Sequence, residues 1–136
     1  MTIKKAKKEV TVNACQTTHV VTAHRATRHS LDMLLKLEGY TVKTYGSARS
    51  LLAAIDTTDT GCILTDVQLP GMNGLDLLAA LNERGVYLPA IVMSGLPDAE
   101  IEMTARMRGA VHFFETPLDP EILLAAIRNT FKQTQS

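Results

Sequence analysis

Short apolar runs alternate with longer stretches of helical spacing through most of this chain. That alternation restricts the fold more than any other feature. HVVTA (19–23), YTVKTY (40–45), GCILTD (61–66), LPAIVMSG (88–95) and AVHFF (110–114) have the length of strands. Between the first two, ATRHSLDMLLKLEG (26–39) sets Leu31, Leu34 and Leu35 at helical spacing and stops at Gly39. SARSLLAAI (47–55) opens with a serine in N-cap position. LDLLAALNERG (75–85), DAEIEMTARMRG (98–109) and DPEILLAAIRNTF (119–131) complete a set of five helices. Runs that are apolar throughout belong to a sheet covered on both faces. Parallel strands joined by right-handed helical crossovers then give a doubly wound α/β three-layer sandwich. The crevice of such a sheet lies beyond the carboxyl ends of its strands. The segments to inspect are therefore Thr22 to Arg25, Thr65 to Pro70, Ser94 to Asp98 and Glu115 to Leu118.

With 136 residues the chain has the size of one domain, which can bury a sufficient core without disulfide or metal. Fourteen Lys and Arg balance fourteen Asp and Glu, which argues against a general electrostatic nucleic-acid binder. No apolar run reaches membrane-spanning length, and the basic MTIKKAKKEV start lacks the apolar segment of a secretory signal. Cys15 and Cys62 have no metal-ligand or redox spacing and suit plain thiols in a reducing compartment. A cytoplasmic location is expected. Residues 1–18 are expected to form a basic, partly disordered extension, although VTVNA (10–14) alternates as a short extra strand would. Residues 19–131 form the domain and 132–136 a short tail. The charge is uneven: residues 1–30 hold Lys4, Lys5, Lys7, Lys8, Arg25 and Arg28 against the single acid Glu9.

Asp66 ends an apolar strand and enters the Gly/Pro loop LPGMNG (69–74), so it faces the crevice. Taken alone, an acid there is as often a cap as a reactive group. Ser94 ends the next strand and Thr116-Pro117 follows the last, so three polar positions converge. The segment CILTDVQLPGMNGLDLL (62–78) resembles the phosphoacceptor segment of response-regulator receiver domains. IVMSG (91–95), RGAVHFFETPLD (108–119) and EILLAAI (121–127) resemble the family's later blocks, and GAVHFFETP is most similar to FixJ-type receivers. The resemblance covers residues 19–131. It implies a flavodoxin-like (CheY-like) fold with strand order 2-1-3-4-5.

Roles follow from the resemblance position by position. Asp66 stands where a histidine kinase delivers its phosphoryl group. Gln68 stands where a backbone carbonyl joins the aspartate in holding Mg²⁺. Ser94 stands at the hydroxyl that bonds the phosphoryl group, and Phe113 at the aromatic ring that turns with the switch. Thr116-Pro117 stands at the family's Lys-Pro, whose peptide bond is usually cis. Two departures touch the chemistry. The acid pair at the end of the first strand falls on Thr22 and Ala23, followed by His24 and Arg25, and the usual lysine is Thr116.

Phosphoryl transfer depends on positioning and charge neutralisation. Mg²⁺ requires oxygen ligands, usually with one or two carboxylates. A pocket with Asp66 alone is a poor host, and loss of a single electrostatic donor costs about 3–4 kcal/mol of transition-state stabilisation. His24 and Arg25 offer an opposing possibility, a built-in cation paired with Asp66, since arginine suits bidentate pairing. The bland alternative is that both side chains point to solvent.

Two functions are therefore expected in order. The first is a pseudo-receiver of a two-component system, not an enzyme, acting by protein contact without a cofactor and with little or no Mg²⁺-dependent phosphorylation. The second is a working receiver phosphorylated on Asp66 by a weakened route. An unrelated enzyme on the same kind of sheet would need a Gly-rich phosphate loop, and TAHRATRHS (22–30) has no glycine. The expected partners are a histidine kinase or another signalling protein, and a second copy of the chain through the fourth helix, fifth strand and fifth helix. Nucleic acid and membrane are not expected partners of this domain. The expected face includes Met103, Met107, Arg106, Arg108, His112 and Phe113, although methionines at helical spacing are more often core. FixJ-type receivers usually precede a DNA-binding domain, and residues 132–136 leave no room for one, which suggests either a stand-alone receiver or a piece of a longer regulator.

Overall fold

The computed structural model describes residues 16–135. The basic lead, the 10–14 strand expectation and Cys15 lie outside the described residues. The elements run β1 (Thr17–Val21), α1 (Arg25–Leu37), β2 (Thr41–Tyr45), α2 (Ala48–Ala54), β3 (Cys62–Asp66), α3 (Gly74–Glu83), β4 (Ala90–Ser94), α4 (Ala99–Met107), β5 (Ala110–Glu115) and α5 (Pro120–Gln135). The five strands form one parallel sheet in the order β2-β1-β3-β4-β5. The doubly wound α/β class and the 2-1-3-4-5 order are as expected.

The continuous apolar strands have a simple cause. Adjacent residues of a strand point to opposite faces. Val21, Ile63 and Val92 enter a core with Leu51, Leu77 and Leu81 of α2 and α3. Their neighbours Val20, Leu64 and Ile91 enter a second core with Leu31 and Leu35 of α1 and Leu123 and Ile127 of α5. Each of the central strands β1, β3 and β4 must therefore be apolar at consecutive positions. The edge strand β2 has no buried residue and reads TVKTY. Cys62, on the central strand β3, is fully buried.

Side-chain caps start α2, α3 and α4. Ser47 accepts from the Ser50 amide, Asn73 from Asp76 and Asp98 from Ile101. Gly61, at φ +109°, admits the chain into β3 where a Cβ would strike the Thr17 carbonyl.

One expectation needs correction, and one alternative is set aside. The first strand was expected at 19–23 and lies at Thr17–Val21. Thr18 and His19 are buried in it although polar, because the sheet satisfies their backbone and Thr60 accepts a hydrogen bond from His19 Nε2 at 3.0 Å. Met103 and Met107 are not core: they are 63% and 80% exposed. The short α4 buries only Ala105, which leaves the methionines on its outer face.

Candidate functional site

The chain leaves β1 toward β2 on one side and returns through β3 on the other. The strand order thus reverses between β1 and β3, and a crevice opens past their carboxyl ends. Asp66, half-buried at the end of β3, lies there. Its position is fixed by backbone packing: the Val67 amide donates to Met93 O at 2.8 Å, and the Gly74 amide to Val67 O at 2.9 Å. Gly74 lies so close that a Cβ would sit 2.1 Å from the Asp66 carbonyl oxygen.

A cleft of about 650 Å³ extends from Asp66 between α1 and the β5–α5 turn. His24, Asp66, Gln68, Gly95, Thr116 and Pro117 line its polar end, and the Thr116–Pro117 peptide is cis. Thr22, just past β1, is fully buried, and its hydroxyl accepts from the His24 amide at 3.4 Å. Ala23 is exposed and brings no oxygen ligand in its side chain. Burial pushes the Asp66 carboxyl above the usual aspartate range, while a hydrogen bond from Thr22 and the charge of His24 pull it down.

Asp66 makes no direct ion pair with His24 or Arg25. Lys36–Asp32 and Arg106–Glu102 form ion pairs, and neither involves Asp66. Arg25 opens α1 with an exposed side chain and does not line the cleft. His24 does line it and acts on Asp66 through charge alone.

Two contributions escaped the sequence reading. The Gln68 side chain, not only its backbone, enters the site. Its Nε2 lies 3.0 Å from Ser94 Oγ, and its Oε1 accepts from the Gly95 amide at 3.2 Å and from Ser94 Oγ at 3.3 Å. Ser94 Oγ also accepts from the Leu96 amide at 3.1 Å. The donors at the end of β4 are thus already answered from within the chain. Nothing in the spacing of LTDVQLPG signals this, because it depends on a rotamer. Arg28, rather than Arg25, is the arginine that reaches the chain just past β1: Nη1 donates to Thr22 O at 2.8 Å. It passes beside Gly46, where a Cβ would meet Nη1 at 3.2 Å. Phe113 is half-buried on β5 against the α2–α3 core, not in the cleft.

The donor set does not suit Mg²⁺. Asp66 is the one carboxylate lining the cleft, and no group of three or more His, Cys, Asp or Glu that could hold a metal occurs among the described residues. A hard dication wants several oxygens. Thr22 and Ala23 supply at most one neutral hydroxyl.

A doubly wound parallel sheet with an aspartate at its switch point, a hydroxyl at the next strand end and a Thr-Pro turn beyond defines a signalling receiver. Residues 19–128 match the response regulator receiver domain, and the chain belongs to that family, as a receiver domain of a two-component response regulator. It is 42% identical over 110 residues to the transcriptional regulatory protein FixJ of Azorhizobium caulinodans, covering 81% of this chain and 52% of that protein. It is 35% identical over 114 residues to the response regulator protein TmoT of Ectopseudomonas mendocina, covering 84% and 52%. Among solved structures, full-length FixJ from B. japonicum superposes with a TM-score of 0.80 at 30% identity, covering 88% of this chain and 59% of that one. FixJ-N superposes with a TM-score of 0.76 at 32% identity, covering 86% and 94%. The chain spans about half the length of these curated relatives.

Proposed function

We propose that this receiver is a pseudo-receiver, which signals by protein contact with little or no Mg²⁺-dependent phosphorylation of Asp66. The observation that supports it is the set of groups around Asp66: no second carboxylate and no lysine line the cleft. The Gln68 amide adds to this by occupying Ser94 Oγ and the Gly95 amide, the donors that an incoming phosphoryl oxygen would need. Cofactor-free signalling follows from the same set of groups.

The second reading is a working receiver that accepts phosphate on Asp66 by a weakened route. It is favoured by one observation, that Asp66, Gly95 and Thr116 still converge on a cleft open to solvent. Incubation with Mg²⁺ and acetyl phosphate, or with beryllofluoride, separates the two. The pseudo-receiver predicts no mass increase and no specific spectral change. A stable adduct that disappears in Asp66→Asn would overturn it. Introducing Thr22→Asp, Ala23→Asp and Thr116→Lys together is expected to raise Mg²⁺ affinity measurably.

The partner we propose is a histidine kinase or other signalling protein in the cytoplasm, with a second copy of the chain as a conditional partner. The exposed Met103, Met107, Val111 and Ile122 supply an apolar, adaptable surface on α4, β5 and α5. No described helix is long and apolar enough to cross a membrane.

A further inference from the structure

The cleft beside Asp66 is larger than a single-ion site requires, and most of its wall is not polar. Below the carboxylate it is walled by Leu31, Leu34, Met93, Leu118 and Leu123. Leu31, Met93 and Leu123 are buried members of the α1–α5 core, so this wall is held rigidly by packing. Leu34 and Leu118 pack on that core from the edge and stay partly open. The polar end carries one half-buried carboxylate; His24 is the one titratable base lining it, and no lysine or arginine does. At about 650 Å³ the cleft falls within the range of small-molecule sites.

We propose that this cleft binds a small organic cation, a primary ammonium carried on a short alkyl or arylalkyl body. Each part of that description comes from the wall. The single carboxylate favours a monovalent cation and repels anions. An ammonium donates three hydrogen bonds and needs no carboxylate cage, unlike Mg²⁺. The Asp66 carboxylate accepts one of these, and the Thr116 hydroxyl is an acceptor at the same end. The apolar body lies against the partly open Leu34 and Leu118 and the exposed Ala26 and Pro120, over a floor of buried core side chains, and leaves water. The inference does not depend on whether Asp66 accepts a phosphoryl group.

The test is an amide-resolved NMR titration of the full chain in a chelating buffer, with hexylammonium as probe and hexanol and hexanoate as matched controls. Saturable shifts confined to Asp66, Gly95, Leu118 and the α1 face are expected with hexylammonium. Hexanol is expected to bind about tenfold or more weakly, since it loses the charge-assisted bond. Hexanoate is expected not to bind. In Asp66→Asn, hexylammonium and hexanol should bind alike. Ser30→Trp, at an exposed position on the cleft rim, should block both while leaving shifts elsewhere unchanged. Shifts that do not saturate, that scatter outside the cleft, or that keep the ammonium preference in Asp66→Asn would overturn the proposal.

Discussion

Burial holds Asp66 above its ordinary value of 3.8, so its charged form is disfavoured in the folded chain. The sign of the consequence is fixed by linkage. A carboxylate raised on folding contributes stability that is fully present below 3.8 and lost as pH rises through the folded value. Asp66→Asn should therefore raise Tm at neutral pH, with the gain shrinking toward acid, as thermal melts across that range would show. Gln68→Ala removes the amide that answers Ser94 Oγ and the Gly95 amide. It should cost about 1 kcal/mol or less, because these are neutral bonds at a largely exposed side chain. It should also allow a beryllofluoride-induced spectral change that the parent chain lacks, by freeing both donors. An NMR titration of the two proteins side by side checks it. At this scale the sequence was informative about backbone-determined positions and silent about rotamers. Asp66, Ser94 and Thr116 are placed by strand ends, and strand ends follow hydropathy. The reach of Gln68 and Arg28 depends on which way a flexible side chain turns, and no spacing encodes that.

Elements were legible to within two residues where capping chemistry and apolar periodicity agreed, as at Ser47 before α2 and Asp98 before α4. β1 begins two residues before the apolar run suggests because Thr18 is polar yet fully buried, so hydropathy alone undervalues it. The exposure of the α4 methionines sets aside the core alternative for them, because helical spacing does not say how deeply a helix sits on its sheet. The contact between β3 and α3 gives a sharper element-scale expectation. Gly74→Ala would place a Cβ 2.1 Å from the Asp66 carbonyl oxygen, so the start of α3 must move away from β3. A loss of roughly 1–3 kcal/mol is expected, as for overpacking elsewhere, and urea denaturation measures it. Because the same move shifts the Asp66 backbone, amide shifts of Asp66 and Val67 should change beyond those of the remaining sheet.

The whole molecule has a pH response of its own. His19 is almost fully buried, donates to Thr60 through Nε2 and leaves Nδ1 without a partner. Burial lowers its pKa from 6.5, with Thr60 and Asp59 opposing and Lys43 adding to the fall. Stability from a depressed histidine is present above 6.5 and lost as pH falls through the folded value. Half-buried His112 is lowered too, by burial and then by Arg106, and acts in the same direction. The urea midpoint should therefore drop on acidification below 6.5, and His19→Gln, whose amide can still donate to Thr60, should flatten that slope. Cys62 carries a different consequence for the molecule. Its thiol is fully buried on the central strand, and burial holds its pKa at about 12. A sulfhydryl reagent can reach it only when the sheet itself comes apart. With Cys15 replaced by serine, the rate at which Cys62 is labelled becomes a clock for global opening, and any ligand that tightens the fold should slow that clock in proportion to its occupancy.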